Sequence, residues 1–336
     1  MGGGRDRCVF NHPYNNIISI QNLLLAWREF LKGKSKRKDV LVFQQKLMNN
    51  IISLHEDLKN KTYTHGGYTA FNISDPKPRN IHKAFVRDRV LHHLLYKELY
   101  PFFDTKFIFD SYSCRKNKGT HKALKRFEIF SRKVSKNYTR QCFVLKCDIR
   151  KFFASIDHKV LKEILGKYIE DKNILWLLNG VIDSFITEGK KDVGLPLGNL
   201  TSQLLVNIYM NDFDQFAKHI LKEKYYIRYA DDFVFLSQDK KHLENLILEI
   251  SEFLNNKLKL NLHPKKVFIK TIYSGVDFLG WIRFPKHRVL RTTTKKKMFR
   301  KLQGETKEEV VASYMGMMKW GNCYKLSQKV AKREGL

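Results

Sequence analysis

Residues 225–236 constrain the fold of this chain more than any other stretch, because two β-rich aromatic runs flank a pair of adjacent aspartates. Such runs, broken by a short polar pair, are typical of a β-hairpin with Asp231 and Asp232 at its turn. Two neighbouring carboxylates repel each other, and a divalent metal ion would neutralise both. A solvated turn is the ordinary alternative for an isolated Asp-Asp pair, so the rest of the chain has to decide between the two.

The net charge indicates a polyanionic partner. Lys and Arg number 63 and Asp and Glu number 33, which gives +30, while a hydrophobic share of 43% predicts a globular protein. A charge of this size opposes compaction unless a polyanion is bound. Nucleic acid is the leading candidate; an anionic membrane surface competes, but no basic amphipathic helix stands out.

The sequence favours a cytoplasmic protein without a membrane partner. No apolar run approaches the roughly 20 residues that span a bilayer, and the N-terminus lacks a signal-peptide apolar segment. The five cysteines show no CxxC spacing. Neither a zinc site nor a disulfide framework is therefore indicated.

Three further segments have patterns that help to place a functional site. Residues 143–149 form an apolar run that predicts a buried strand ending near Asp148. Residues 194–203 form a Gly/Pro loop, in which Gly198 lets the backbone approach a ligand closely. Residues 86–99 predict an amphipathic helix that stops near Pro101.

The carboxylates become a metal site if the two strand ends are neighbours in one sheet. Asp148 and Asp231 would then share two divalent ions, which about 3.5–4 Å apart clamp the attacking and leaving oxygens of a phosphoryl transfer. Mg²⁺ suits carboxylate and phosphate oxygens, with Mn²⁺ as a substitute. Basic side chains upstream, Arg79 and either Arg89 or Arg115, would neutralise a triphosphate.

These residues resemble the reverse transcriptases of retroelements, over about residues 60–290. Tyr229-Ala230-Asp231-Asp232 resembles the signature box of that family, and residues 146–153 resemble the box that carries its first metal aspartate. The resemblance implies three catalytic aspartates, Asp148, Asp231 and Asp232, and a metal site formed by these three with Ile149. Asp231 is the expected bridging ligand, whereas Asp232 is expected to support the site or the primer end.

The resemblance also implies nucleotide and primer contacts. Phe153 matches the aromatic residue that packs under the sugar and excludes a 2′-hydroxyl, and residues 278–281 resemble the primer-grip hairpin. The expected nucleotide-binding residues are Arg79, Arg89, Arg115, Phe153, Leu197, Gly198 and Gln203. The expected primer and template contacts are Tyr229, Lys265, Phe278, Leu279, Gly280 and Trp281.

The implied fold is a right hand of fingers, palm and thumb, of the α+β class, with an antiparallel palm sheet. The expected divisions are an N-terminal helical extension over residues 1–60, fingers and palm over residues 61–285, and a short basic helical thumb over residues 286–336. The expected substrates are dNTPs, and the expected nucleic acids are a template RNA and a cDNA or primer.

One loop indicates which subfamily of reverse transcriptases the chain resembles. Group II intron enzymes usually read Gln-Gly followed by Ser-Pro, whereas residues 197–203 read Leu-Gly-Asn-Leu-Thr-Ser-Gln. This loop and the segments 111–115, 118–121 and 313–316 resemble reverse transcriptases of diversity-generating retroelements. That implies error-prone copying of a template-repeat RNA, with adenines miscopied, and a basic pentameric accessory protein as partner. Physically, Leu197 offers an apolar contact where an amide would hydrogen-bond, and apolar contacts discriminate poorly.

Two other functions stay open. One is a group II intron or host-defence reverse transcriptase, since a defence enzyme differs in its neighbouring genes. The other, from a different class, is a catalytically inactive RNA-binding protein on a polymerase fold. The retained Asp148, Asp231, Asp232 and Phe153 argue against it, because RNA binding alone requires none of them.

Overall fold

The computed structural model describes residues 9–74, 78–302 and 308–333. Its N-terminal half contains α1 (Tyr14–Ile17), α2 (Ile20–Leu31), α3 (Lys38–Gln45), α4 (Leu47–Lys59), β1 (Tyr68–Ile73), β2 (Arg79–Ala84), α5 (Val86–Asp104), α6 (Thr120–Val134), β3 (Phe143–Asp148), α7 (His158–Gly166) and α8 (Lys172–Asp183). The remainder contains α9 (Leu200–Gln215), β4 (Tyr226–Tyr229), β5 (Asp232–Ser237), α10 (Lys240–Leu258), β6 (Phe268–Thr271), β7 (Val276–Phe278), β8 (Trp281–Arg283), β9 (Arg288–Leu290), α11 (Thr292–Lys301), α12 (Glu308–Met318) and α13 (Tyr324–Arg333).

The central sheet has four strands in the order β4-β5-β3-β6, and every neighbouring pair is antiparallel. Two smaller antiparallel sheets accompany it, the β1-β2 hairpin and the three-stranded β7-β8-β9 sheet. Apolar β-branched and aromatic residues favour this pleated, packed arrangement. The predicted α+β class with an antiparallel sheet is confirmed.

Alternation along the central strands gives the sheet two apolar faces. Leu145 and Phe233 belong to a core cluster that includes apolar residues of α5, α9 and α10. Their neighbours Val144 and Val234 belong to a second cluster with residues of α6, the β7-β8-β9 sheet and α11–α13. The sheet is therefore covered on both sides, and its strand ends can carry polar groups without exposing the core.

Helix α5 extends beyond the predicted stop at Pro101 and ends at Asp104. Pro101 forfeits one helical hydrogen bond and crowds the preceding turn. Tyr100 and Phe103 flank the proline and are 4% and 1% exposed. Burial of these aromatic side chains on both sides of Pro101 offsets the local loss.

Two features bear on the predicted division of the chain. The N-terminal helices share a core cluster with α5, against which α2 packs. Strand β9 pairs with β8 across the predicted boundary between residues 285 and 286. Within the described ranges, no helix is long and apolar enough to cross a membrane.

Candidate active site

The sheet register brings the predicted carboxylates together. Tyr229 pairs with Asp232 across the hairpin, which leaves Ala230 and Asp231 as a two-residue turn. Asp148, the last residue of β3, pairs with Asp232 on the neighbouring strand. Register partners point to the same face of a sheet, so Asp148 and Asp232 share a face and Asp231 lies at the adjoining turn.

Burial and like charge destabilise the ionised carboxylates. Burial raises the pKa of Asp231, and the nearby charge of Asp148 raises it further, whereas Lys266 and Arg79 lower it. Burial raises the pKa of Asp232 to about 6, against the lowering effect of Lys146. An additional positive charge nearby would stabilise the ionised forms of Asp231 and Asp232.

Two lysines contact these carboxylates. Lys266 Nζ lies 3.1 Å from Asp148 Oδ1, and Lys146 Nζ lies 3.3 Å from Asp232 Oδ2. Lys266 was not predicted. The neighbouring Lys265, which the sequence predicts as a primer or template contact, is exposed. The His263 amide donates to the Asp148 carbonyl at 2.7 Å and so brings residue 266 beside the end of β3.

The donor chemistry fits a hard divalent cation. The acidic side chains at this end of the sheet are carboxylates, and Asp232 Oδ1 is buried without a hydrogen-bond partner in the described part of the chain. Oxygen ligands of this kind suit Mg²⁺. Across residues 9–74, 78–302 and 308–333, no three His, Cys, Asp or Glu side chains are grouped closely enough to hold an ion by themselves. Substrate phosphates and the backbone at Ile149 would have to complete a coordination shell.

The predicted nucleotide-selecting loop is attached to the strand that carries Arg79. The His82 amide donates to the Leu197 carbonyl at 3.0 Å, and Asn199 Nδ2 donates to the His82 carbonyl at 2.8 Å. Gly198 has φ +113°, and a Cβ at that position would lie 2.7 Å from Ile81 Cγ2. Glycine is therefore required for this close approach to β2.

Asn199 is the anchor that sequence reasoning missed. Its side chain is buried, and its Oδ1 accepts from the Ala84 amide at 3.3 Å. An amide side chain can replace a strand neighbour because it both donates and accepts. The available signal was an Asn directly after a glycine at the start of a helix, where it reads as an ordinary N-cap.

Phe153 lies on the other side of the same loop. It belongs to a 3₁₀ turn, Phe152–Ser155, five positions after Asp148, and its ring is half-buried. The Phe153 carbonyl accepts from the Leu195 amide at 2.8 Å. Gln203 is half-buried in the first turn of α9. The structure thus connects Phe153, Leu197 and Gly198 through one loop.

Arg89 and Arg115 are engaged elsewhere. Arg89 pairs with Asp39 of α3, and its guanidinium lies over the Phe30 ring. Arg115 Nε donates to Asp104 Oδ1 at 2.7 Å, and the same guanidinium donates to three main-chain carbonyls nearby. Its side chain is only 6% exposed. Both arginines therefore hold protein segments together in this structure rather than facing the carboxylates.

The predicted primer contacts divide into buried and accessible groups. Phe278 and Trp281 pair across the β7–β8 hairpin, and both side chains are buried. The turn between them, Leu279 and Gly280, has positive φ at both residues (+49° and +90°) and is half-buried. This turn is the part of the hairpin able to reach a primer. Tyr229 is half-buried, and its hydroxyl accepts from Thr120 Oγ1 at 3.2 Å.

The comparison with protein families decides the identity. The family described as reverse transcriptase (RNA-dependent DNA polymerase) matches residues 74–283. The chain belongs to the reverse transcriptase family. The matched segment contains all three predicted catalytic aspartates, and this family generally uses divalent metals.

Two proteins to which this reverse transcriptase is similar are distant relatives. Protein YkfC of Escherichia coli is 26% identical over 262 residues, which cover 65% of either chain. A Saccharomyces cerevisiae protein named for intron 2 of COX1/OXI3 is 21% identical over 279 residues, 65% of this chain and 31% of the yeast protein. The chain therefore spans less than two thirds of the length of these relatives.

A solved structure shares the fold. Apo telomerase from Candida tropicalis, truncated from its C-terminal domain, aligns with a TM-score of 0.50 and 14% identity. The alignment covers 73% of this chain and 60% of the telomerase chain. This likeness confirms the predicted polymerase fold.

Proposed function

We propose that this protein is an RNA-directed DNA polymerase that copies a retroelement template RNA into cDNA by two-metal-ion nucleotidyl transfer. The observation that carries the proposal is the register of the central sheet, which places Asp148 opposite Asp232 and next to the Asp231 turn. A binding protein gains nothing from three neighbouring carboxylates, of which Asp231 and Asp232 are destabilised by burial in their ionised forms. A phosphoryl-transfer enzyme needs such a group.

The proposed roles follow from position. Asp148, Asp231 and the backbone at Ile149 would hold two Mg²⁺ ions, which when bound would lower the pKa of a primer 3′-hydroxyl and balance the charge of the triphosphate. Asp232, paired with Lys146, supports the site. Arg79, whose charge reaches Asp231, faces the triphosphate.

The loop residues select the nucleotide in this proposal. Phe153 packs under the sugar, and Leu197 and Gly198 lie against the base pair being formed, with Gln203 behind them in α9. The Leu279–Gly280 turn, Tyr229 and Lys265 contact primer or template. Residues 1–60, 61–285 and 286–336 act as helical extension, fingers with palm, and thumb.

We further propose that the enzyme belongs to a diversity-generating retroelement. The Leu197 loop supports this subtype, because an apolar side chain beside the incoming nucleotide relaxes base selection. The product would be a cDNA altered opposite template adenines, made together with a basic pentameric accessory protein.

An intron-type reverse transcriptase is the second candidate. It is favoured by the matches to yeast proteins named for introns. A host-defence enzyme would use the same chemistry. Sequenced products separate the candidates, because only the diversity-generating type is expected to concentrate errors opposite adenine.

Primer extension on an RNA template, with Mg²⁺ and each dNTP in turn, tests the proposal. Extension with incorporation of several bases opposite adenine supports polymerase and subtype together. Extension with uniform fidelity supports the polymerase and contradicts the subtype. Intact RNA binding without extension contradicts the polymerase and favours an RNA-binding protein.

A further inference from the structure

A charged side chain lies completely buried in the middle of strand β4. Arg228 is 0% exposed, two residues before the turn that ends in Asp231. A buried guanidinium is costly unless its charge and its donors are matched. Arg228 therefore has to be explained by its partners.

Every N–H of Arg228 has an acceptor. Nε donates to Asp214 Oδ1 at 2.8 Å, and Nη2 donates to Asp214 Oδ2 at 2.6 Å. The second Nη2 bond goes to Ser111 Oγ at 3.1 Å. Nη1 donates to Asn207 Oδ1 at 3.2 Å and to the Ala230 carbonyl at 3.1 Å. Five donors thus meet five acceptors in the fixed fork of the guanidinium.

The carboxylate of Asp214, which balances the charge of Arg228, also has hydrogen-bond partners on both oxygens. Asp214, in α9, is also 0% exposed, and its Oδ1 accepts a second bond from the Tyr226 hydroxyl at 2.7 Å. Burial opposes the charge of the guanidinium, but Asp214 more than offsets it, so the pKa of Arg228 is raised. The pair is a fixed, charged element of the core.

One of these bonds reaches the catalytic turn itself. The Ala230 carbonyl belongs to the residue directly before Asp231, and Ala230 has φ +56°, a left-handed conformation that a non-glycine residue adopts at a cost. The hydrogen bond from Arg228 Nη1 stabilises that conformation. The orientation of the Asp231 carboxylate depends on it, because Asp231 is the second residue of a two-residue turn.

Arg228 also holds the segment 110–113, through its main chain and through the bond from Nη2 to Ser111 Oγ. The Arg228 amide donates to the Asp110 carbonyl at 3.0 Å, and the Tyr112 amide donates to the Arg228 carbonyl at 2.9 Å. Asn207 Nδ2 donates to the Ser113 carbonyl at 2.9 Å. The Ser-Tyr-Ser stretch is therefore an added edge of the sheet, held through Arg228.

We propose that Arg228, charge-balanced by Asp214, is the positioning residue of the Asp231–Asp232 turn: it holds the Ala230 carbonyl and thereby fixes where the Asp231 carboxylate points. The proposal rests on the proposed polymerase function only for its kinetic consequence. A misplacement of about 1 Å at a reacting group costs about 100-fold in rate.

A purely structural role predicts a different result. If Arg228 and Asp214 only stabilised the core, a protein with both charges replaced by neutral polar groups would keep folding and activity together. A balanced neutral pair can substitute for a buried ion pair. If Arg228 positions the turn, the protein with the neutral pair folds but loses activity, because the shorter glutamine side chain at position 228 cannot reach the Ala230 carbonyl.

The test uses the double variant Arg228→Gln/Asp214→Asn in the full chain. Its matched control is Arg126→Gln/Asp110→Asn, which neutralises another bidentate pair on the same 110–113 segment (2.7 and 3.2 Å) without touching the turn. Thermal unfolding, affinity for an RNA–DNA primer duplex and the single-turnover extension rate are measured for both variants.

We expect the Arg228/Asp214 variant to fold and to bind duplex within about twofold of wild type, with an extension rate lower by about 100-fold. The control is expected to extend within about twofold of wild type. An Arg228/Asp214 variant that extends within about threefold of wild type overturns the proposal. An equal loss in the control overturns it as well.

Hydrogen exchange on the wild-type protein tests the proposal without any variant or any activity. The amide of Asp232, which pairs with Tyr229 and closes the turn, is expected to exchange as slowly as the core of β5, and much more slowly than the Leu279–Gly280 turn. Rapid exchange at Asp232 overturns the positioning role even if the double variant fails to fold. A wild type that extends no primer but protects this turn contradicts the polymerase function and leaves the positioning role standing.

Discussion

Replacement of Gly198 by alanine tests how the nucleotide-selecting loop is attached. The backbone of Gly198 has φ +113°, and the added methyl group would lie 2.7 Å from Ile81 Cγ2 on β2. Strain of this backbone conformation costs about 1–3 kcal/mol, and the steric overlap costs about 1–3 kcal/mol. Because a shift of the loop relieves part of each, we expect a net penalty of about 2–4 kcal/mol.

The penalty has two measurable forms. If the loop stays on β2, the free energy of unfolding in urea falls by that amount. If the loop leaves β2, the bonds from His82 to Leu197 and from Asn199 to His82 break, and the KM for dNTPs rises. Urea unfolding and steady-state primer extension on the same variant distinguish these forms.

Gly180→Ala is the matched control. Gly180 lies on the exposed side of α8, and a Cβ there would meet no atom of the described residues within 4 Å. In a helix interior, alanine is favoured over glycine by about 1 kcal/mol. The control should therefore be slightly more stable with an unchanged KM. A Gly198→Ala protein as stable as wild type, with wild-type KM, refutes the account of the loop.

Three further outcomes are expected. Leu197→Gln should lower misincorporation opposite template adenine by about fivefold, the equivalent of about 1 kcal/mol for one neutral hydrogen bond; sequenced cDNA gives the answer, and an unchanged error spectrum would remove Leu197 from base selection. Phe153→Val should reduce discrimination against rNTPs by at least about tenfold, read as the ratio of kcat/KM for dNTP and rNTP, and an unaltered ratio would contradict the sugar contact. RNA affinity should fall by about 10³-fold or more between roughly 50 and 200 mM salt if six or more phosphates are contacted; binding that ignores salt would contradict the argument from the +30 charge.

Much of the sheet could be predicted from periodicity alone. The apolar runs around Asp148 and around the Asp231–Asp232 pair predict strands, and the turn residues predict a hairpin. Pairing of the two strands in a shared register is a long-range fact that no local pattern contains. The resemblance supplied that step, and the register of β3 with β5 agrees with it.

The charged partners were harder to predict. The basic loop suggested that Arg115 would face a phosphate, yet its partner is Asp104, eleven residues earlier in the sequence and near the end of α5. Sequence gives the charge of a side chain but not the direction in which the loop turns it. Lys266 escaped prediction for the same reason, since the bond from the His263 amide to the Asp148 carbonyl, which no local pattern contains, brings it to the site.

Arg228 offered a signal that was not used. A charged residue within a buried aromatic strand needs a buried counter-charge, and an aspartate in the preceding apolar helix is the natural partner. Asp214, among the buried residues of α9, fits that description.

The most direct test of the central claim is primer extension by Asp231→Asn, a substitution that removes one charge and preserves shape. The matched control is Asp212→Asn, which breaks a surface ion pair with Lys167 at 3.0 Å. We expect the Asp231→Asn protein to bind the RNA–DNA duplex with wild-type affinity and to lose extension by about 10³-fold or more, while the control keeps both. Extension that survives in Asp231→Asn would contradict the assignment of this turn as the catalytic centre.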